Sequence, residues 1–293
     1  MKILLIGTNG QIGGELQRTL AGFGELVSTD RHTLDVTDGR RIRDAIRSVQ
    51  PALIVNAAAY TAVDKAEHEP EVAVAINAKA PEIMAEEAKK LNCTLIHYST
   101  DYVFDGAKHS PYVESDTPNP LNVYGRSKLA GENAVTASGA RHLIFRTSWI
   151  YSTRGSNFLL TVRRLLRERP ELRIVNDQIG SPTWARDIAE GTAKALHILL
   201  KQNQQRREQM TGLYHLTASG QTSWHGFAAD IMAMSESSAH NDPAKLVPIA
   251  TSEYHTPARR PLNSILSNEK FQKTFGFGLP HWKDSLKRVF SEP

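Results

Sequence analysis

Short apolar runs alternate with amphipathic stretches through the first half of the chain. Runs such as Leu53-Ile54-Val55 are continuously apolar, which is typical of parallel strands buried on both faces. The pattern predicts strands over residues 2–6, 26–29, 53–56, 95–99 and 142–146, and helices over residues 12–20, 40–49, 72–91 and 124–137. Such alternation indicates an α/β fold built on a doubly wound, parallel Rossmann sheet.

The pattern becomes less regular after about residue 150. It predicts helices over 158–169 and around 188–200, a short strand over 172–175, and further short elements over 213–216 and 224–234. The polar segment 202–209 has no apolar period and predicts a surface loop. We therefore expect an NAD(P)-binding Rossmann domain over residues 1–150, with a possible return of the chain to it after about residue 180. A smaller α/β substrate-binding domain is expected mainly over residues 151–293.

Composition and charge narrow the class of protein. The 293 residues are 40% hydrophobic and 23% charged, with a net charge of +4, which gives no basis for expecting a nucleic-acid or membrane partner. No stretch approaches the roughly 18 to 20 apolar residues of a membrane span. No signal peptide is predicted, and the lone Cys93 fits a reducing compartment. We expect a cytoplasmic α/β enzyme.

A glycine-rich segment follows the first predicted strand and opens the first helix. Glycines at this position allow a tight turn and let backbone N–H groups approach a pyrophosphate at the positive end of a helix. A strand-to-helix turn without a ligand is the alternative. The candidate cofactor contacts are Gly7, Gly10, Gln11, Ile12 and Gly13.

The end of the second strand bears on the choice of cofactor. Asp30 could accept hydrogen bonds from the ribose 2′-hydroxyl of NADH, whereas Arg31 could pair with the 2′-phosphate of NADPH. The two neighbours favour opposite cofactors, so both stay open. Asp35 could meet the adenine edge or could be an N-terminal acid of the helix before Arg40.

Tyr124 and Lys128 are four residues apart on a predicted helix and therefore share one face. A tyrosine beside an ammonium can act as an acid, because the positive charge favours the phenolate. Thr100 ends the fourth strand, where a hydroxyl points into the ligand crevice of a parallel sheet. A threonine that only closes the strand is the alternative.

Taken together, these motifs resemble the extended short-chain dehydrogenases/reductases. Longer strings are similar to those of the dTDP-4-dehydrorhamnose reductase family, and they span nearly the whole chain. They are Asn56-Ala57-Ala58-Ala59-Tyr60-Thr61-Ala62-Val63-Asp64-Lys65-Ala66-Glu67, Tyr98-Ser99-Thr100-Asp101-Tyr102-Val103-Phe104, Pro120-Leu121-Asn122-Val123-Tyr124-Gly125, Arg146-Thr147-Ser148-Trp149 and Thr256-Pro257-Ala258-Arg259-Arg260-Pro261-Leu262-Asn263-Ser264.

The resemblance implies a reaction and its machinery. NAD(P)H would reduce a dTDP-4-dehydro-L-rhamnose to dTDP-L-rhamnose, the last step of dTDP-rhamnose synthesis for cell-surface polysaccharide. Tyr124 would protonate the C4 oxygen, Lys128 would bind the nicotinamide ribose and lower the pKa of Tyr124, and Thr100 would orient the carbonyl. The implied cofactor contacts are Gly10, Gln11 and Ile12 at the pyrophosphate, Asp30, Asp35 and Val36 at the adenosine, and Ala59, Tyr60 and Thr61 in the crevice.

The implied substrate contacts lie on later segments of the chain. Asp101 would bind the nucleotide-sugar with Thr100, and Trp149 would form an apolar wall, with a core aromatic as the alternative for Trp149. Arg259 and Arg260 are candidates for the diphosphate because guanidinium groups bind phosphate with two hydrogen bonds, although a solvated pair is equally consistent with the sequence.

The resemblance leaves a metal and two other functions open. Some family members use Mg²⁺ at a dimer contact built from glutamates; Glu15 is a candidate ligand, but Arg186 stands where an acidic partner is expected. A homodimer is therefore a possible assembly. A nucleotide-sugar epimerase or dehydratase is a rival, although Tyr102 after Asp101 replaces the glutamate expected of a dehydratase. A non-catalytic regulatory subunit of this fold is the other rival, disfavoured by the intact proton-transfer residues.

Overall fold

A computed structural model describes residues 1–235 and 244–291 and resolves them into alternating strands and helices. The strands are β1 (Lys2–Ile6), β2 (Glu25–Thr29), β3 (Leu53–Asn56), β4 (Thr94–Thr100), β5 (Arg141–Thr147), β6 (Ile150–Tyr151), β7 (Glu171–Val175), β8 (Ile179–Gly180), β9 (Thr183–Trp184), β10 (Gly212–His215), β11 (Thr222–Ser223) and β12 (Lys245–Ile249).

The helices lie between these strands and after them. They are α1 (Gln11–Leu20), α2 (Gly39–Val49), α3 (Val63–Ala66), α4 (Pro70–Val74), α5 (Ala80–Lys90), α6 (Val123–Ala137), α7 (Phe158–Glu168), α8 (Ala185–Leu200), α9 (Gln204–Gln209), α10 (Trp224–Met234), α11 (Glu269–Phe275) and α12 (Trp282–Ser291). No described helix is long and apolar enough to cross a membrane.

The core of the fold is a six-stranded parallel sheet in the order β2-β1-β3-β4-β5-β10. The chain leaves β1 toward one edge to form β2 and then crosses to the other side to form β3. This reversal creates a crevice at the carboxyl ends of β1 and β3, the usual ligand position in such sheets. The predicted α/β class and parallel sheet are confirmed, and β1 and β3 have the predicted bounds.

The predicted helix over residues 72–91 is interrupted. It divides into α4, a π-helical turn over Ala75–Lys79 and α5. Asn77 lies in the π turn and is buried; its Nδ2 donates to Ser127 Oγ at 3.0 Å and to the carbonyl oxygen of Tyr60 at 3.0 Å. A π turn inserts one residue and turns a side chain toward a neighbour, which the apolar spacing alone does not reveal.

The segment after residue 150 contributes to two hydrophobic clusters. Helix α8 packs on α1 and β10 extends the main sheet beside β5, so both belong to the core that includes Phe145 and Leu196. A separate cluster joins α7, α10 and α12 around Tyr151, Trp184 and Phe227. The division into domains at residue 150 stays a prediction.

The predicted loop at residues 202–209 is wrong, because residues 204–209 form the short helix α9. Asn203 caps this helix: its Oδ1 accepts the N–H of Arg206 at 2.9 Å. Every side chain of α9 is at least partly exposed, so the helix follows from capping rather than from burial of an apolar face.

Candidate active site

The glycine loop lies at the crevice between β1 and β3. A Cβ on Gly7, whose φ is +91°, would stand 2.5 Å from the backbone nitrogen of Ala58, and a Cβ on Gly13 would stand 2.1 Å from the carbonyl oxygen of Gly7. The loop can therefore pack this closely only with glycine. Helix α1 begins after Gly10, which has no side chain with which to cap it, so the first N–H groups, those of Gln11, Ile12 and Gly13, face the crevice end of the sheet.

The end of β2 keeps an ionised carboxylate beside a cation. Asp30 accepts the N–H groups of His32 at 2.9 Å and Thr33 at 3.0 Å, and Asn9 Nδ2 donates to its second oxygen at 2.8 Å. The backbone hydrogen bonds hold the pKa of Asp30 below its usual range. Arg31 follows with an exposed side chain. Both groups for the 2′ position are thus present at one strand end.

Asp35 and Val36 lie in the loop between β2 and α2. Asp35 is exposed and accepts the N–H and hydroxyl of Thr37 at 2.9 and 2.7 Å. Asp38, not Asp35, caps α2, accepting the N–H groups of Arg40 and Arg41. The alternative interpretation of Asp35 as the acid of that helix is therefore wrong. Val36 is half-buried against the apolar cluster behind the sheet.

The segment after β3 lines the same crevice. Tyr60 donates its hydroxyl to Glu69 at 2.6 Å, and this bond, with burial, raises the pKa of Tyr60 to about 12. The N–H of Tyr60 donates to Asn77 Oδ1 at 2.9 Å. Ala59 is half-buried and Thr61 is exposed. The hydroxyl, the N–H and the carbonyl oxygen of Tyr60 are thus all engaged within the chain.

Helix α6 brings the three catalytic candidates together. Asn122 caps it, with Oδ1 accepting the N–H of Gly125 at 2.7 Å, and this sets Tyr124 in the first turn and Lys128 in the next. The Thr100 side chain lies next to the Tyr124 phenol and acts to lower its pKa. Lys128 Nζ donates to the carbonyl oxygen of Tyr98 at 2.6 Å. A half-buried tyrosine, a buried threonine at a strand end and a buried lysine therefore lie together.

The electrostatics of this constellation differ from the expected direction. Burial raises the pKa of Tyr124 to about 12, and the Thr100 side chain opposes that rise. Burial lowers the pKa of Lys128 to about 8, opposed by the charge of Glu132. Lys128 Nζ donates to Tyr98 O, and burial of the Tyr124 phenol is the largest influence on its pKa.

Asp101 is a buried carboxyl beside Thr100. Its Oδ1 accepts the hydroxyl of Thr100 at 3.0 Å, its Oδ2 accepts that of Ser148 at 3.2 Å, and Ser264 also donates to it. Burial nevertheless raises the pKa of Asp101 to about 6, because a desolvated carboxylate is costly. The carboxyl thus fixes the Thr100 hydroxyl and lies next to the proton-transfer groups.

Trp149 is not a core aromatic, contrary to the alternative interpretation. It is half-exposed, and its indole stacks on that of Trp224 with centroids 3.5 Å apart and planes 4° from parallel. Its φ is 47°, which is uncommon for a residue with a Cβ. Gly180 makes room for it, since a Cβ there would be 2.4 Å from the indole. The two tryptophans form a flat apolar surface.

The two candidate arginines differ in their surroundings. Arg260 is bound to Asp64 at 2.7 Å and to the hydroxyl of Thr256 at 2.6 Å. Arg259 is exposed, and its backbone carbonyl accepts Asn122 Nδ2 at 2.8 Å, next to the start of α6. The Arg260 guanidinium is therefore already engaged within the chain, and Arg259 is the one whose side chain faces solvent.

Comparison with known proteins identifies the family of this chain. The family model for the RmlD substrate binding domain matches residues 1–293. The chain belongs to the RmlD substrate binding domain family. A dTDP-4-dehydrorhamnose reductase of Burkholderia thailandensis is 47% identical over 97% of the chain and 96% of the relative. One of Escherichia coli strain K12 is 47% identical over 100% and 98%.

A solved structure of the same family shares the architecture. The dTDP-4-dehydrorhamnose reductase of Bacillus anthracis, in complex with NADP, superposes with a TM-score of 0.90 at 34% identity, covering 100% of this chain and 99% of that one. The resemblance inferred from the sequence strings is confirmed by these full-length matches.

The residues around Glu15 do not fit a metal centre. Glu15 is bound by Arg154 at 3.0 Å, Arg186 at 3.3 Å and Arg18 at 3.7 Å. These guanidinium groups already neutralise the negative charge of the carboxylate that a metal ion would need as a ligand. Across residues 1–235 and 244–291, no cluster of three or more His, Cys, Asp or Glu side chains has metal-binding geometry.

Sequence reasoning missed three residues of the site. Asn77 bridges the Tyr60 backbone and Ser127 beneath α6, and Trp224 supplies the second indole of the aromatic surface. His97 is buried beside Lys128, with 3.5 Å between Nε2 and Nζ. The sequence does place His97, with its two ring nitrogens, directly after the apolar residues Leu95-Ile96 of a predicted strand, and this could have indicated a buried polar group.

Proposed function

We propose that this protein reduces dTDP-4-dehydro-L-rhamnose to dTDP-L-rhamnose with NAD(P)H. The observation that carries the proposal is the bond from Lys128 Nζ to the carbonyl oxygen of Tyr98 near the end of β4, which places Tyr124, one helical turn earlier, next to Thr100. Full-length relatives at 47% identity carry the name of that reductase, which supports the same substrate here.

The residues present fit a dinucleotide. The close approach at Gly7 and Gly13 leaves a backbone cradle, and the N–H groups that open α1 would hold the pyrophosphate. Asp30 or Arg31 would meet the 2′ position, and Lys128 would bind the nicotinamide ribose. The complex of the Bacillus anthracis relative contains NADP, which supports the use of NADPH.

The chain's own residues would handle the proton. The bound nicotinamide would supply hydride to C4 of the sugar. Tyr124 would donate its phenolic proton to the C4 oxygen, since its phenol is neutral at physiological pH. Thr100, fixed by Asp101 at 3.0 Å, would orient the carbonyl against Tyr124.

The substrate would lie between β4 and the second half of the chain. The flat surface of Trp149 and Trp224 would receive an apolar face of the deoxysugar nucleotide. Exposed Arg259 would bind the diphosphate, whereas Arg260 would support that loop through its bond to Asp64.

The protein is proposed to act in the cytoplasm, and a homodimer is its expected assembly. The single cysteine, Cys93, is buried as a free thiol, which supports the cytoplasm as the compartment. A homodimer stays a prediction, which light scattering on the purified protein tests.

A coupled assay tests the proposed function. dTDP-glucose is converted by a 4,6-dehydratase and a 3,5-epimerase, and the oxidation of NADPH or NADH is followed after this protein is added. We expect oxidation that requires the epimerase, with dTDP-L-rhamnose as product. Oxidation without the epimerase would instead indicate reduction of the D-sugar, and no oxidation by folded protein would favour the epimerase or regulatory alternatives.

A further inference from the structure

A series of buried hydrogen bonds connects the end of β3 with Lys128. The N–H of Ala58 donates to Asn56 Oδ1 at 3.1 Å, and Asn56 Nδ2 lies 3.1 Å from His97 Nδ1. The other ring nitrogen, Nε2, lies 3.5 Å from Lys128 Nζ. Asn56, His97 and Lys128 are each 1% exposed. Solvent therefore cannot supply alternative partners, and each polar atom must be matched within the protein.

The donor and the acceptor of each hydrogen bond in this series are fixed, beginning at a backbone N–H. The Ala58 N–H can only donate, so the Asn56 atom facing it is the carbonyl oxygen and the atom facing His97 is the amide NH₂. An NH₂ can only donate, so His97 Nδ1 must accept. A neutral imidazole with Nδ1 as acceptor carries its proton on Nε2. The Nε2–H therefore points toward Lys128 Nζ.

His97 is held in the neutral state by its surroundings. Protonation at Nδ1 would set two N–H groups against each other at the Asn56 contact. Burial lowers the pKa of His97 well below its usual value, and the charge of Lys128 lowers it further. His142 on β5 acts in the same direction. The single-proton tautomer thus persists through the physiological pH range.

We propose that Asn56 and His97 form a positioning relay for Lys128, in which the fixed Nε2–H faces Nζ and favours the neutral amine before cofactor binds. A neutral Nζ can accept this N–H and still donate to Tyr98 O, whereas an ammonium has three donors and no lone pair for it. Two ribose hydroxyl oxygens would then accept hydrogen bonds from Nζ and favour the ammonium, which takes its added proton from the solvent. Cofactor binding and protonation of Lys128 are coupled in this way.

The other ionisable groups around Lys128 have partners of their own. Glu132 follows Lys128 by one turn and favours the ammonium, but its carboxylate is bound by Arg146 at 2.6 Å. Tyr124 lies next to Thr100. Further ionisable groups on the elements packed against α6 are engaged elsewhere: Tyr98 with Thr192, His142 with Ala140 O, Asp64 with Arg260, Glu67 with the N–H of Val123, Glu69 with Tyr60 and Lys65, Lys79 with Glu82, Glu87 with Arg47 and Lys90, and Asp101 with Thr100, Ser148 and Ser264.

The relay predicts a pH dependence with a definite sign. The pKa of Lys128 is lowered to about 8, so its ammonium is complete below that pH and is lost as the pH rises through it. If the ammonium binds the nicotinamide ribose, as the proposed function has it, NADPH affinity should weaken by about tenfold per pH unit above that point.

The tautomer is tested without any activity. Long-range proton–nitrogen correlation spectra of protein labelled with ¹⁵N-histidine distinguish protonated from bare ring nitrogens, and the His97 signals are assigned by their absence in His97→Gln. We expect a neutral ring protonated at Nε2 between about pH 6 and 8. A ring protonated at Nδ1, or an imidazolium in that range, would overturn the relay whatever reaction the protein catalyses.

The nearly isosteric variant Asn56→Asp should reverse the positions of donor and acceptor on the His97 ring. Asn56→Asp keeps an acceptor for the Ala58 N–H but offers a second oxygen to His97, so the ring proton should move to Nδ1 and leave Nε2 to accept from the Lys128 ammonium. We expect the pH above which NADPH affinity falls to rise by about one unit or more. Asn203→Asp, at the exposed cap of α9, is the matched control and should leave it unchanged.

The two readouts separate the relay from a mere effect of added charge. The relay requires both the change of tautomer and the rise in the pH midpoint in Asn56→Asp. A rise with the His97 proton still on Nε2 would contradict it, as would an unchanged midpoint. Absence of NADPH binding at every pH would count against the proposed function, while the tautomer in the unaltered protein would still decide the relay.

Discussion

Lys128 Nζ lies 2.6 Å from the carbonyl oxygen of Tyr98, two residues before Thr100 on the same strand. This bond ties helix α6 to the carboxyl end of β4. Because Tyr124 lies one turn before Lys128 on that helix, the same bond helps to set Tyr124 next to Thr100. The position of Tyr124, the proposed proton donor, thus depends on an anchored lysine and the backbone of a central strand.

Replacement of the proton donor should separate chemistry from binding. Tyr124→Phe keeps the ring but removes the phenolic proton, so turnover should fall by about 10²- to 10⁴-fold. Cofactor affinity should change little, because Lys128 and the glycine loop are intact. Steady-state kinetics together with fluorescence titration of NADPH measure the two effects. Near-normal turnover would show that another group supplies the proton.

The end of β2 should govern the choice between the two cofactors. Asp30→Ala should weaken NADH more than NADPH, because it removes the acceptor for a 2′-hydroxyl. Arg31→Ala should have the opposite effect, since it removes the cation nearest a 2′-phosphate. The affinity for NADH in Asp30→Ala and the affinity for NADPH in Arg31→Ala should each fall by about tenfold or more. Equal losses of both cofactors in either variant would mean that the altered residue does not meet the 2′ position.

The buried carboxyl of Asp101 should leave a signature in the pH dependence of stability. Its folded pKa, about 6, lies above the unfolded value of 3.8, so the folded state binds the extra proton between these values. This group therefore makes the free energy of unfolding fall as the pH rises, by about 3 kcal/mol in all. Asp101→Asn should lack that decrease. Urea unfolding from about pH 4 to 7 measures the difference, and parallel curves would contradict it.

The ion pair between Glu132 and Arg146 should matter for stability far more than an exposed pair. Both side chains are 3% exposed, and two hydrogen bonds of 2.9 and 2.6 Å join them. Glu132→Gln leaves a buried guanidinium without its counter-charge and should cost about 3 to 5 kcal/mol in the free energy of unfolding.

The exposed pair of Lys79 and Glu82 provides the control for that measurement. Glu82→Gln removes a similar charge near the surface, where the pair is 3.0 Å apart but solvated, and should cost less than about 1 kcal/mol. Comparable losses in the two variants under urea would show that burial does not determine the energy of the Glu132 pair.

The sequence predicted five of the six strands of the main sheet because their signal is local. Strands β1 and β3 are buried on both faces, so their apolar runs begin and end where the strands do. Helix α9 and the π turn around Asn77 were missed for the opposite reason. One is an exposed helix defined by its cap, and the other depends on a contact with Ser127, 50 residues later in the chain.

The site was predictable only where its geometry follows from spacing. Tyr124 and Lys128 share one face of α6 because they are four residues apart, and this spacing can be read directly from the sequence. His97 meets Lys128 across 31 residues, and Arg260 meets Asp64 across 196. Pairings of this kind depend on the order of strands in the sheet, which residue types alone do not determine. Thus the relay and the engaged state of Arg260 became visible only in the structure.

The most direct test of the reductase is the fate of the hydride. The purified protein is incubated with dTDP-4-dehydro-L-rhamnose and NADPH that carries deuterium at both C4 positions of the nicotinamide, and the nucleotide-sugar product is analysed by mass spectrometry and NMR. We predict one deuterium at C4 of dTDP-L-rhamnose and an equal amount of oxidised cofactor. A product without deuterium, or turnover that leaves the cofactor pool reduced, would contradict the reductase and favour an enzyme that retains its cofactor.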